Sequence, residues 1–238
     1  MRLLLACFLL ILATSVAAQE GSVRYEITTQ LDIDLPPGLA HMADQIPSSR
    51  TEDRVLHFRD AVSLLVPAPK EEEDADFESG GMRIMFRQND DDALHLDRGA
   101  GTRIERRDFL SRTFLIEGEP TAFDWRLTGE AAEFLGYTAY QATTMRDTVA
   151  VQAWFTPEIP ASVGPGPYGG LPGLILVVTE DGARRTFIAR DVSLGSLEEG
   201  LLDPPDSGRR VTQDEFDAIV EEKMEDMRGR GGAMIIRG

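Results

Sequence analysis

From Val23 to Ile33 apolar and polar residues alternate: Val23, Tyr25, Ile27, Leu31 and Ile33 are interleaved with Arg24, Glu26, Thr28, Gln30 and Asp32. A period of two held over that length predicts a long strand buried on one face, which commits the chain to a sheet with a wet side and a dry side. Similar short runs recur along the chain. Arg54 to Phe58 and Ser63 to Val66 read as a hairpin around Arg59-Asp60-Ala61. Further strands are expected at Met82 to Phe86, Leu94 to Leu96, Thr102 to Arg106, Thr113 to Ile116, Phe123 to Thr128, Tyr137 to Thr144, Val149 to Thr156, Leu174 to Thr179 and Arg185 to Arg190. Many short strands joined by turns, with no long helices between them, argue for an antiparallel meander and against a parallel α/β sheet. The expected fold is mainly β: a curved, half-barrel-like antiparallel sheet with a C-terminal α-helix packed on it.

The helical signals lie elsewhere. Leu39, Met42, Ala43 and Ile46 recur at helical spacing before Pro47, which predicts a short surface helix. Near the end, Thr212 with Glu215 forms a capping box, and Val211 and Phe216 occupy the two staple positions. Phe216, Ile219, Val220, Met224 and Met227 then make one apolar face that has to be buried, with Gly229 as the stop.

The first eighteen residues read as a signal peptide. Arg2 precedes an apolar run from Leu3 to Leu12, and Val16-Ala17-Ala18 supplies the small residues that a signal peptidase needs. The run is too short to span a bilayer. Cys7, the single cysteine, is removed with it, so residues 19–238 are expected to fold as one β domain without disulfides or thiolate metal sites. The chain carries 24 basic and 41 acidic residues, a net charge of −17. That balance argues against nucleic acid and anionic membrane surfaces as partners. Only Lys70 and Lys223 are lysines. Codon bias and adaptation to salt explain this arginine preference equally well.

Candidate chemistry is sparse. No Gly-x-Ser-x-Gly elbow, phosphate-binding loop or paired zinc-helix histidines occur, so no catalytic residue, metal site or cofactor is expected. Of His41, His57 and His95, the last shares a strand face with Asp97, the best pairing of the three. The acidic stretches Glu71 to Asp76 and Asn89 to Asp92 lack the spacing of a calcium loop and read as solvated surface.

The segment that stands out runs from Gln152 through Trp154-Phe155-Thr156-Pro157-Glu158-Ile159-Pro160 to Gly170-Leu171-Pro172-Gly173-Leu174-Ile175. Prolines at 165, 167 and 172 stiffen the connection, and glycines at 164, 166, 169, 170 and 173 allow tight bends. Two readings follow. The loop either folds back over the sheet as a lid or ligand-binding element, with Tyr168 and Leu171 anchored beside Trp154 or Trp125, or it only closes two strands into register. Pro172 and Gly173 shape it in both.

With Gly170 to Ile175 spelling the motif, Asp124-Trp125 and Gly136-Tyr137 before it, and Trp154 to Pro160 upstream, the chain resembles the GLPGLI family of secreted or periplasmic proteins of Bacteroidetes-type bacteria. The likeness covers Phe114 to about Ile188 well and Glu215 to Met227 more loosely. It departs at Ala139, where relatives commonly carry a cysteine. The resemblance implies an exported protein, periplasmic or extracellular, with no assigned reaction. The expected role is a non-catalytic binding or accessory module for an apolar or peptide ligand or an outer-membrane receptor system, with no membrane span after cleavage. The alternative is a carboxylate-based hydrolase.

The signal reading predicts a mature N-terminus at Gln19. N-terminal sequencing of the exported protein checks it, and intact Met1 or an acylated Cys7 contradicts it.

Overall fold

The computed structural model describes residues 19–31, 47–69, 78–79, 82–83 and 92–229. The expected signal segment, the expected helix from Leu39 to Ile46 and the acidic run Glu71 to Asp76 lie outside the described residues, as does most of Met82 to Phe86 and of Asn89 to Asp92.

Alternation becomes ladder as expected. The strands are β1 (Glu20–Gln30), β2 (Ser49–Arg59), β3 (Val62–Pro67), a two-stranded ribbon of β4 (Glu78–Ser79) and β5 (Met82–Arg83), β6 (Ala93–Asp97), β7 (Thr102–Phe109) and β8 (Arg112–Gly118). They continue with β9 (Arg126–Phe134), β10 (Tyr137–Arg146), β11 (Val149–Thr156), β12 (Leu174–Glu180), β13 (Arg185–Leu194) and β14 (Arg209–Thr212), before α1 (Gln213–Gly229). Twelve of them form one sheet in the order β14-β8-β7-β6-β3-β2-β1-β13-β12-β11-β10-β9.

The order departs from a plain meander in one informative way. Successive strands pair throughout the antiparallel part, except that β8 and β9 do not pair and β1 pairs with β13 instead. The meander is therefore opened in its middle and joined through its first strand. A flat sheet would set β8 and β9 about 48 Å apart, at about 4.8 Å for each of ten strand spacings. The connection between them, residues 119–125, spans at most about 29 Å when fully extended. The sheet has to curl.

Alternation assigns the two faces. Val23, Tyr25 and Ile27 of β1 lie on the concave side with Leu56 and Phe58 of β2, Leu65 of β3, Val151, Ala153 and Phe155 of β11 and Phe187 of β13, all within one buried cluster. The Tyr25 hydroxyl donates to the Ile175 carbonyl at 2.5 Å, tying the central strand to β12. A second cluster seats the helix: Phe216 meets Phe114 edge-on at 5.3 Å and packs with Ile116 and Val211. The capping box forms both of its bonds, from the Thr212 amide to Glu215 Oε2 at 2.8 Å and from the Glu215 amide to Thr212 Oγ1 at 3.3 Å. β14 pairs parallel to β8, the one parallel ladder of the large sheet.

One expected strand is corrected. The alternation from Phe123 to Thr128 predicted a ladder, but β9 starts at Arg126. Phe123 and Trp125 leave the sheet edge and bury their rings against the β11–β12 connection instead.

The convex face is crossed by residues 195–208, which lead from β13 to β14. The Gly195 amide donates to the Glu20 carbonyl, the Leu202 backbone is hydrogen-bonded to His95, and Gly208 lies against Thr113 and Leu115. His95 is only 6 % exposed, and its Nδ1 has no partner among the described residues. Burial holds its pKa below the usual histidine range, against smaller opposing effects of Asp97, the Leu202 bond and Asp203. Burial lowers His57 likewise.

A histidine whose folded pKa is lowered binds its proton better in the unfolded chain. Its contribution to stability is then complete above the unfolded value of about 6.5 and is lost as pH falls from there toward the folded pKa. Thermal melts between pH 7.5 and 4.5 should show this loss, and His95→Gln should flatten it by removing one of the two titrations.

Candidate functional site

The connection from β11 to β12, residues 157–173, is where sequence chemistry and burial coincide. It has its own hydrogen bonds: Val163 and Gly169 form an antiparallel bridge, the Tyr168 amide donates to the Pro165 carbonyl across Gly166-Pro167, and the Leu174 amide donates to the Ile159 carbonyl. Such bonding lets a loop enter an interior without stranding its polar backbone. Ile159, Ala161, Val163 and Tyr168 are fully buried, and Leu171 is 2 % exposed. The loop is core.

Two glycines make that depth possible. At Gly173, with φ +154°, a Cβ would stand 2.1 Å from the Thr156 carbonyl oxygen, so only glycine passes there. A Cβ at Gly164 would meet Ile175 at 2.8 Å. Pro172, between two buried neighbours, is exposed.

Tyr168 is the centre of the arrangement. Its ring contacts Phe123, Phe187 and Trp125 at centroid distances of 5.2, 5.9 and 6.4 Å. Its hydroxyl donates to Glu180 Oε1 at 2.6 Å. The other Glu180 oxygen faces Arg146 Nη2 at 3.3 Å, and the same guanidinium lies over the Tyr168 ring. Burial, reinforced by the Glu180 carboxylate, pushes the tyrosine hydroxyl far above its ordinary range, so it remains a donor at every physiological pH. Arg98, on the β6–β7 turn, donates to the Pro167 carbonyl at 2.7 Å and to the Thr121 carbonyl at 3.3 Å. Trp125 Nε1 donates to the Gly169 carbonyl at 2.9 Å. The loop is thus clamped by the segment that joins β8 to β9.

Of the six residues that the sequence singled out, Trp125, Tyr168, Leu171 and Gly173 come together here. Trp154 does not. Phe155 faces Tyr140 in register and shares the concave side with Val151, so its neighbour Trp154 points to the opposite face, where it packs on Phe134 at 5.5 Å.

The structure also groups residues that the sequence reading passed over. Glu52 lies between Arg50 and Arg54 on β2, at 3.4 and 3.6 Å. On β7, each carboxylate oxygen of Glu105 bonds a different guanidinium, one from Arg103 and one from Arg107. The signal was present as Arg-x-Glu-x-Arg within two alternating strands, a spacing that puts all three charges on one face. On the convex side Ser22 Oγ and His57 Nδ1 are 2.7 Å apart, a cross-strand pair on regular β1 and β2. Among the described residues, no group of three or more His, Cys, Asp or Glu side chains is placed to hold a metal ion.

Residues 144–177 match the model of a family described as a protein of unknown function (Porph_ging), a stretch that contains the whole loop and the Gly170 to Ile175 motif. No curated protein matches the chain. The fold is similar to that of PNGF-II, solved in crystals of space groups P21 and C2, with a TM-score of 0.56 and 14 % identity in each case. The match covers 86 % of this chain and 34 % or 33 % of PNGF-II. This chain therefore spans about a third of the length of that protein, and the likeness is one of fold.

Three substitutions separate the roles in the loop. Tyr168→Phe leaves a buried Glu180 oxygen unpaired and should cost about 1–3 kcal/mol. Gly173→Ala should cost more than about 4 kcal/mol or prevent folding, because its methyl meets backbone. Pro172→Ala should cost at most about 1 kcal/mol through unfolded-chain entropy. Urea titration of the three variants gives the ranking.

Proposed function

We propose that this chain is an exported, non-catalytic binding module of the bacterial envelope, of the GLPGLI type, that recognises a polypeptide partner. The observation that carries the reading is the loop of residues 157–173, which occupies the concave side of its own sheet through Tyr168 and Leu171. A half-barrel that fills its interior with its own chain meets partners through its rim and surfaces, not by enclosing an apolar small molecule. The similar fold in PNGF-II makes up about a third of a longer chain, so this architecture also occurs as part of a larger protein. Among the described residues no helix is long and apolar enough to cross a membrane.

A carboxylate-based hydrolase is the second reading, favoured by one observation. Glu180 is 6 % exposed and accepts a short hydrogen bond from Tyr168, the kind of setting in which carboxylates act as acids or bases. Its two oxygens are, however, already engaged by Tyr168 and Arg146.

Photo-crosslinking of the full-length protein in native envelopes distinguishes the two. A binding module should give one recurring polypeptide adduct from probes at the rim position Arg50 and none from Tyr168. Turnover of an envelope substrate by the purified protein, abolished by Glu180→Gln in a variant that keeps its melting temperature, would replace the binding reading with the hydrolase.

A further inference from the structure

The chain carries a net charge of −17, yet the strands β2 and β7 present arginine-rich rows on its concave face. Alternation and register place Arg50 and Arg54 of β2, Arg103 and Arg107 of β7, Arg146 of β10 and Arg185 of β13 on that face, together with Glu52, Glu105, Glu180 and Glu133 of β9. Asp92, beside Arg54 and Arg107, directs its carboxylate to the Asp108 amide at 3.2 Å. On β2, on β7 and just ahead of β6, four guanidiniums stand against Glu52, Glu105 and Asp92, a surplus of one positive charge. Each Arg-Glu-Arg row holds one more guanidinium than glutamate, with Asp92 between Arg54 and Arg107, and each guanidinium has five N–H donors to distribute.

We infer that the two Arg-x-Glu-x-Arg rows on β2 and β7 bind an extended acidic peptide segment of the partner, an inference that rests on the binding-module reading above. Charge complementarity is the first argument: a local surplus of guanidinium within an acidic protein concentrates anionic groups where the rows lie. Geometry is the second. Arg50 and Arg54 are four residues apart on one strand face, as are Arg103 and Arg107, which separates each pair of Cα positions by about 13 Å. Carboxylates at every fourth position of an extended peptide repeat at the same distance, whereas a single small anion reaches only one end of a row. Chemistry is the third. The planar guanidinium fork matches a carboxylate in two bonds; Arg50 keeps 40 % of its side chain exposed to make them, and Arg107, 38 % exposed, is held over the Phe216 ring of α1 at 5.3 Å.

Calorimetry of the full-length protein with a short synthetic peptide carrying glutamate at every fourth position and serine between, against the same peptide with glutamine, tests this directly. The glutamate peptide should bind, and should weaken as salt is raised, while the glutamine peptide should not bind. Arg50→Gln combined with Arg103→Gln should lower affinity at least about tenfold. Glu105→Gln frees two guanidiniums and should tighten binding severalfold, a gain that misfolding cannot imitate. Equal affinity for the two peptides, or indifference to both sets of substitutions, overturns the inference. So does binding that appears only after deletion of the acidic run 71–76, because the chain's own carboxylates would then be the occupant. Recovery of a polypeptide adduct from native envelopes together with no preference for glutamate would leave the binding module standing and remove the acidic ligand alone.

Discussion

The pairing of β1 on both of its edges is the constraint from which the rest of the structure follows. One edge runs in register with β2 from Glu20↔Arg59 to Gln30↔Ser49, and the other with β13 from Gly21↔Leu194 to Thr29↔Arg185. The first partner is local and the second lies more than 150 residues away. Joining them puts the break in the meander between β8 and β9 and forces residues 119–125 to bridge the two edges. Curvature is thus a consequence of connectivity, before any side chain is considered.

A curled sheet with one apolar face needs something to fill it. The Pro/Gly loop does so with its own hydrogen bonds formed, and it is held from three directions: Tyr25 of β1 donates to Ile175 at its exit, Arg98 links the Pro167 carbonyl to that of Thr121 in the bridge, and Trp125 takes the Gly169 carbonyl. The bridge and the filling meet at Phe123 and Trp125, so the segment that fixes the curvature also locks the loop. Tyr168, Glu180 and Arg146 form a linked polar group beneath the loop. The arginine rows lie beyond this filling, where partial exposure keeps them reachable.

How much of this was legible in the sequence depends on the range of the interaction involved. Period-two alternation located nearly every strand, and Thr212 with Glu215 marked the start of α1, because those signals are settled by neighbours a few residues away. The Gly173 requirement was readable as glycine content and became specific only once Thr156 was seen to lie against it. The pairing of β1 with β13 has no local signature, since an apolar strand face accepts many partners. Trp154 was grouped with Tyr168 because adjacency in sequence carries no face assignment without a register. For the same reason Arg50-Thr51-Glu52-Asp53-Arg54 and Arg103-Ile104-Glu105-Arg106-Arg107 looked like ordinary strand charge until the ladder turned both rows inward.

If β1 joins the two halves of the sheet, they should lose protection together. Native-state hydrogen exchange across a denaturant series measures this amide by amide. The account predicts that the amides of β1, β2, β12 and β13 converge on a single opening free energy equal to that of global unfolding. Persistence of protection in β10 to β12 after β1 and β2 have exchanged would show that the C-terminal half is stable without its shared strand, and would contradict it.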